Sequence, residues 1–68
     1  MPGEAHTLIK LATLYFNINV EKKAVACLKK AMEINDEIKD AGITRELDKI
    51  PKELMDKVKA PGASASFD

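Results

Sequence analysis

The chain has 68 residues, and its eleven basic and eleven acidic side chains give a formal net charge of zero. A chain of this length forms at most one small domain. The charges are interspersed rather than gathered in a basic block, which argues against a nucleic-acid-binding protein. No apolar run approaches the roughly 18 residues that span a bilayer, and no charged-then-apolar leader is seen. We therefore expect a cytoplasmic protein whose partners include neither nucleic acid nor membrane.

The first predicted element is an amphipathic helix over about residues 5–17. Its apolar residues recur at i, i+3, i+4 and i+7, which places them on one face of a helix: Leu8, Leu11, Ala12 and Tyr15. Pro2 and Gly3 are poor helix formers, so residues 1–4 are expected to be a disordered N-terminus.

A second helix is expected over about residues 20–41. Small and apolar side chains form its stripe: Ala24, Leu28 and Ala31. The connection that precedes it is short, so the two helices must be antiparallel neighbours. Within that connection, Asn19 suits a left-handed backbone and is also a candidate N-cap of the second helix.

The end of the second helix is open to two interpretations. Ile38 and Ala41 continue the apolar stripe, which favours a helix that runs on to residue 41, with Gly42 as its C-terminal cap. Like-charged side chains four residues apart oppose this continuation. The alternative is a break at Asn35-Asp36.

A third amphipathic helix is predicted over about residues 44–59, with Thr44 as its N-cap. Its apolar residues are spaced by 4, 3, 4 and 4: Ile43, Leu47, Ile50, Leu54 and Val58. Pro51 lies inside this stripe and removes a backbone donor. We therefore expect either a kink or two shorter helices, the first ending near Lys49. Residues 61–68 lack periodicity and are expected to be a disordered tail.

The first two helices resemble a single tetratricopeptide (TPR) repeat when Ala5 is taken as its first residue. The family's repeat, about 34 residues long, has large and small residues at fixed positions. Seven of eight such positions fit: Leu8, Leu11, Ala12, Tyr15, Ala24, Leu28 and Ala31. The eighth holds Asp36 where the family usually has proline. The resemblance covers about half of the chain, and the same stripes also fit a generic helical hairpin.

The resemblance implies an all-α fold: a TPR-like antiparallel helical hairpin followed by a third, Pro51-interrupted C-terminal helix as a cap. This places a single domain over residues 5–60. In TPR arrays the first helix of each repeat lines a concave groove, which implies these partner-binding residues: His6, Ile9, Lys10, Thr13, Phe16 and Asn17. We therefore expect a non-enzymatic protein-interaction module that binds a peptide or a partner helix.

Two other functions stay open. A single repeat cannot bury both of its faces, so the first alternative is the structural C-terminal capping fragment of a longer TPR array. The second is a self-associating homodimer. The chain has more apolar surface than internal partners for it, with Ile9, Phe16 and Met55 left over, and such patches commonly mark association surfaces.

The sequence lacks the groups that catalysis requires. His6 is the only histidine and Cys27 the only cysteine, so neither has a similar residue at metal-ligand spacing. Cys27 lies on the apolar side of the second helix, where a small buried hydrophobe is expected. The three glycines are too scattered for a phosphate-binding loop. We expect no enzymatic activity, no cofactor and no metal site.

Overall fold

The computed structural model describes residues 2–59. Over this range the chain forms four helices and no strand: α1 (Pro2–Asn17), α2 (Glu21–Ile38), α3 (Ala41–Asp48) and α4 (Lys52–Lys59). The all-α class expected from the sequence is therefore confirmed. The disordered tail expected over residues 61–68 lies outside the described residues, as does Met1.

Helix α1 begins at Pro2, earlier than the sequence predicts. Proline suits the first position of a helix, because its fixed φ is helical and its missing N–H would be unpaired there anyway. Glu4 adds a favourable carboxylate to the first turn, and the Thr7 hydroxyl donates to the Gly3 carbonyl oxygen at 3.0 Å. The expectation of a disordered segment over residues 1–4 is therefore wrong from Pro2 onward.

The connection between α1 and α2 closes through Asn19, whose φ of 65° lies in the left-handed region. The Asn19 N–H donates to the Phe16 carbonyl oxygen at 3.1 Å. The Val20 N–H donates to the Tyr15 carbonyl oxygen at 2.8 Å. These two bonds form a Schellman motif, which satisfies carbonyl groups in the last turn of α1. The N-cap of α2 is Val20 rather than Asn19, and it makes no side-chain capping bond.

Helix α2 runs through Asn35-Asp36, which agrees with the favoured interpretation and excludes the break. It ends at Ile38, three residues before the expected end at residue 41. Lys39 takes a left-handed backbone with a φ of 49°, and its N–H donates to the Asn35 carbonyl oxygen at 2.7 Å. The side-chain oxygen of Asn35 accepts from the Asp40 N–H at 2.9 Å. Asn35 therefore ends α2 and directs the chain into α3.

The caps of α3 also differ from the expectation. Its N-cap is Asp40 rather than Thr44, and the Asp40 carboxylate accepts from the Ile43 N–H at 3.0 Å. Aspartate is preferred over threonine at this position. The Thr44 hydroxyl instead accepts from the side-chain amide of Asn35 at 2.9 Å. Gly42 lies in the first turn of α3 and does not cap α2.

Of the two alternatives at Pro51, the structure has two separate helices. Helix α3 ends at Asp48, and α4 begins at Lys52. The Pro51 carbonyl oxygen accepts from the Met55 N–H at 3.0 Å. The proline therefore stands immediately before the first helical residue, where its missing N–H costs no helical bond.

The helices share a core of two clusters, and Leu47 and Ile50 pack against both. The first cluster joins α1, α2 and α4: Ala12, Ala24, Val25, Leu28, Leu54 and Val58. The second joins α1, α2 and α3: Ala5, Ile9, Ala31 and Ile43. Four of these residues are fully buried alanines, two from α1 and two from α2, so the helices of the hairpin can approach closely.

Replacement of Leu28 by alanine tests this core. Leu28 is fully buried, and removal of a buried leucine side chain costs about 2–5 kcal/mol, a large part of the stability of so small a domain. The matched control is Leu14→Ala, because Leu14 is 54% exposed and its truncation should change stability by about 0.5 kcal/mol or less. Urea denaturation followed by circular dichroism measures both variants. Equal stabilities would show that Leu28 is not a core residue.

Candidate functional site

The six partner-binding residues implied by the TPR resemblance do not share one environment. Two of them, Lys10 and Asn17, are exposed, whereas Ile9 is buried. The others are half-buried: His6, Thr13 and Phe16. The Thr13 hydroxyl donates to the Ile9 carbonyl oxygen of its own helix at 3.1 Å. The implied groove is therefore not a continuous accessible surface.

Ile9 is the clearest departure from the expected site. Its side chain is only 5% exposed and packs in the second core cluster with Ala5 and Ile43. The chain turns at Lys39 and places α3 against α1, which covers the face that carries Ile9. The assignment of Ile9 to a partner-binding surface, or to a dimer interface, is therefore wrong.

Phe16 is mainly a core residue. Its ring packs against the first core cluster and also lines an open pocket of about 430 Å³ at the end of α1. The pocket is lined by Phe16, Asn17, Asn19, Glu21 and Glu53. Because four of these five side chains are polar, the pocket suits water better than an apolar group of a partner.

His6 is engaged by a residue of its own chain. Its Nδ1 lies 2.6 Å from Oε2 of Glu46 on α3. The two side chains are 43% and 32% exposed, so the contact stabilises the fold by about 1 kcal/mol or less. Glu46 engages one of the two ring nitrogens of His6, and the pair links α1 to α3.

The structure reveals an apolar surface that the expected site did not include. Leu11, Leu14 and Ile18 are 36%, 54% and 57% exposed, and they are the large hydrophobic side chains left exposed within residues 2–59. Their spacing of i, i+3 and i+7 places them on one side of a helix. The Ile18 N–H donates to the Leu14 carbonyl oxygen at 3.1 Å, so helical geometry extends to Ile18. We call these three residues the outer stripe.

The outer stripe lies on the opposite side of α1 from its buried face. The buried residues of α1 are Ala5, Ile9 and Ala12, at i, i+4 and i+7. At about 100° of rotation per residue, Leu14 lies close to half a turn away from Ile9 and Ala12. Helix α1 is therefore apolar on two sides, and within residues 2–59 only one of these sides is covered.

The seven residues that fit the fixed positions of the TPR repeat divide between two environments. Four of them are fully buried where α1 and α2 meet: Ala12, Ala24, Leu28 and Ala31. Leu8 and Tyr15 are half-buried, and Leu11 is exposed. The buried face of α1 is thus rotated away from the predicted stripe. Because apolar residues lie on both sides of α1, periodicity alone does not choose between the two faces.

Two lysines border the outer stripe. Lys10 is exposed and lies one helical turn before Leu14. Lys23 of α2 places its Nζ 5.8 Å from the centre of the Tyr15 ring, within the range of a cation–π contact. Tyr15 lies one turn after Leu11, so Lys23 borders the other side of the stripe.

Two titratable side chains within residues 2–59 have shifted pKa values. Burial raises the pKa of the Cys27 thiol, and the Lys23 ammonium offsets this rise in part. The reactive thiolate is therefore disfavoured in the folded chain. Lys57 donates to Glu21 Oε2 at 2.7 Å, and this bond raises the pKa of the Lys57 ammonium. The same contact links α4 to the start of α2.

Comparison with known proteins identifies no relative of this chain: no protein-family model matches it, and neither does any curated protein or solved structure. In the part of the chain that the structure describes, no group of three or more His, Cys, Asp or Glu side chains is placed to hold a metal ion. Over the same residues, no helix combines the length and the apolar character that crossing a bilayer requires. A function is therefore inferred from the outer stripe and its surroundings.

Alkylation of Cys27 tests the environment of its thiol. Because burial raises the folded-state pKa, the folded chain holds less thiolate than the unfolded chain at the same alkaline pH, and stability falls as the pH rises through the ordinary pKa of a thiol. We expect iodoacetamide to react more slowly with the native chain than with the urea-unfolded chain. A short peptide with the sequence around Cys27 controls for effects of urea on the reagent. Equal rates for the two states would contradict the assigned burial.

Proposed function

We propose that this chain is a non-enzymatic, TPR-like protein-interaction module that binds a helix or peptide of another protein on the outer stripe of α1. The observation that supports this function is the exposure of Leu11, Leu14 and Ile18 on one side of the helix. Single exposed apolar side chains are normal in soluble proteins, but several on one side of a helix form the kind of patch that commonly marks an association surface. A cytoplasmic location is part of the proposal.

The outer stripe has the spacing that helices use to bind one another. In such complexes, apolar side chains at i, i+3, i+4 and i+7 serve as anchors. Leu11, Leu14 and Ile18 supply three anchors over about two turns. A partner that covers them removes their exposed apolar area from water, which contributes about 25 cal/mol per Å² before the entropic costs of association are subtracted.

The rest of the fold holds the stripe in place before a partner arrives. Helix α1 packs through Ala5, Ile9 and Ala12 against the two core clusters, and the left-handed Asn19 fixes the turn that follows. A helix held in this way loses little conformational freedom on association. A preorganised surface therefore binds at a lower entropic cost than a flexible one.

The proposed surface differs from the groove that the TPR resemblance implies. Of the residues implied for that groove, Ile9 packs in the core, and His6 contacts Glu46. The TPR-like part of the proposal is supported instead by the α1–α2 hairpin, in which Ala12 and Ala24 are buried in the same cluster.

A second candidate is the end unit of a longer helical array, in which the outer stripe packs on the preceding unit. The observation that favours it is the difference between the exposed sides of α1 and α4. Helix α1 exposes the apolar outer stripe, whereas α4 exposes charged side chains: Lys52, Glu53, Asp56 and Lys59. Terminal units of helical arrays require a polar outer face of this kind. This candidate predicts that the chain alone aggregates and that Leu14→Gln reduces the aggregation, which light scattering measures.

Selection from a displayed library of helical peptides tests the proposed function. Each library member carries apolar residues at i, i+3, i+4 and i+7, and all other positions are randomised. The enriched peptides should bind the parent chain and bind Leu14→Gln about tenfold more weakly, because loss of a central anchor typically costs about 1–2 kcal/mol. Affinities measured by surface plasmon resonance give this ratio directly.

The matched control for this selection is Lys59→Gln. Lys59 is exposed at the end of α4, where it lines a pocket with Lys29, Glu33 and Asp36 of α2, so its replacement should leave the affinities unchanged. Circular dichroism verifies that both variants stay folded. If no peptide is enriched, or if the enriched peptides bind Leu14→Gln as tightly as the parent, the outer stripe is not the binding surface.

A further inference from the structure

We infer that the partner is an amphipathic helix with acidic residues on both sides of its apolar face. This inference rests on the proposed function and adds to it the chemistry of the partner. Its basis is the charge around the outer stripe, where a lysine stands on each side. Within residues 2–59, the acidic residues nearest to these lysines in sequence are Glu21, which pairs with Lys57, and Glu4, which lies in the first turn of α1.

Lys10 supplies the first positive charge. Its side chain is exposed and lies one turn before Leu14 on the same helix. It forms no ion pair within the described range. A helix packed on Leu14 passes within reach of the long Lys10 side chain, so a carboxylate on the near flank of that helix can pair with the ammonium.

Lys23 supplies the second positive charge, on the other side of the stripe. Its Nζ lies 5.8 Å from the centre of the Tyr15 ring, and this cation–π contact holds the ammonium beside α1. Tyr15 is one turn after Leu11, which fixes the side on which the charge stands. Like Lys10, Lys23 has no ion-pair partner among residues 2–59. The two lysines therefore flank the stripe.

The nearby acidic side chains do not neutralise these lysines. The Glu21 carboxylate accepts from Lys57 at 2.7 Å, at the contact between α2 and α4. Glu4 is in the first turn of α1, about two turns and thus about 10 Å before Leu11. Glu53 lines the pocket at the end of α1 with Asn17 and Asn19, and it lies close enough to Lys57 to raise the pKa of that ammonium. Lys10 and Lys23 therefore remain as charges without an ion-pair partner beside Leu11 and Leu14, although the chain as a whole has no net charge.

The same charges argue against a second copy of this chain as the occupant. Two outer stripes packed together would gather Lys10 and Lys23 of both copies in one interface, where like charges oppose association. The stripe is also short, about 10 Å along α1 from Leu11 to Ile18, whereas a stable dimer typically buries about 800 Å² per partner. A single helix with Glu or Asp beside its anchors fits both the size and the charge.

Three synthetic peptides test this inference. Each is about 18 residues long, enough for about five helical turns, and carries the same leucine anchors at i, i+3 and i+7. The peptides differ only at the positions that flank the anchors, which are Glu in the first, Gln in the second and Lys in the third. Fluorescence anisotropy of each labelled peptide, titrated with the full 68-residue chain, measures binding.

We expect the Glu peptide to bind about tenfold more tightly than the Gln peptide, since each exposed ion pair contributes modestly, and the Lys peptide to bind most weakly. The differences should shrink as added salt screens the exposed charges. In the double variant Lys10→Glu/Lys23→Glu, the order of the three peptide affinities should reverse, with the Lys peptide binding most tightly. The control Lys49→Glu/Lys59→Glu makes the same change in net charge at exposed positions at the ends of α3 and α4 and should keep the parent order of affinities.

The outcomes distinguish this inference from the proposed function. Equal binding of the three peptides, lost in Leu14→Gln, overturns the acidic partner but supports the outer stripe as a binding surface. Binding of none of the peptides overturns both.

Two further measurements address the other possible occupants. A parent chain that sediments as a dimer at tens of micromolar, when Leu14→Gln is monomeric, assigns the stripe to a second copy and overturns the acidic helix. Co-sedimentation with vesicles of one part phosphatidylserine to two parts phosphatidylcholine, lost in the same variant, assigns it to an anionic membrane surface and overturns the acidic helix as well. A parent chain that stays monomeric and does not bind the vesicles supports the acidic helix as the occupant of the stripe.

Discussion

The close contact between α1 and α2 is the constraint on which the rest of the structure depends. Two alanines of each helix are fully buried in it: Ala5, Ala12, Ala24 and Ala31. Small side chains at a helix contact permit a short distance between the axes. Both α3 and α4 then pack on residues that α1 and α2 supply jointly. A larger side chain at one of these alanines would therefore displace not only the hairpin but also the helices that lie on it.

The turn after α2 decides which side of α1 is covered. A non-glycine residue in the left-handed region, such as Lys39, costs about 1–2 kcal/mol. Hydrogen bonds of Asn35 offset this cost, because its backbone carbonyl accepts from Lys39, and its side chain accepts from Asp40 and donates to Thr44. The chain then enters α3, whose contact with α1 covers Ile9. The outer stripe is thus exposed because of bonds made far along the chain.

Features with local causes were predictable from the sequence, and features with distant causes were not. The left-handed backbone at Asn19 and the break at Pro51 follow from preferences of those residue types. The buried face of α1 does not, since its apolar residues fit a face through Leu8 and Leu11 as well as one through Ile9. Packing of α3 decides between them. The outer stripe was present in the sequence as a second periodic set, but only the fold shows that it is the uncovered one.

Because α1 contributes to both the core and the outer stripe, the proposed binding would be coupled to folding. Ile9 and Ala12 face the core of the same helix whose Leu14 faces solvent. A partner that binds only the folded chain stabilises it by about 2.7 kcal/mol when present at about 100 times its Kd. A single core in a chain of this size rarely supplies more than about 3–5 kcal/mol. Under the proposed function, occupation of the outer stripe would therefore contribute stability of the same order as the core itself, and the folded population of the domain would depend on the partner's concentration as well as on packing.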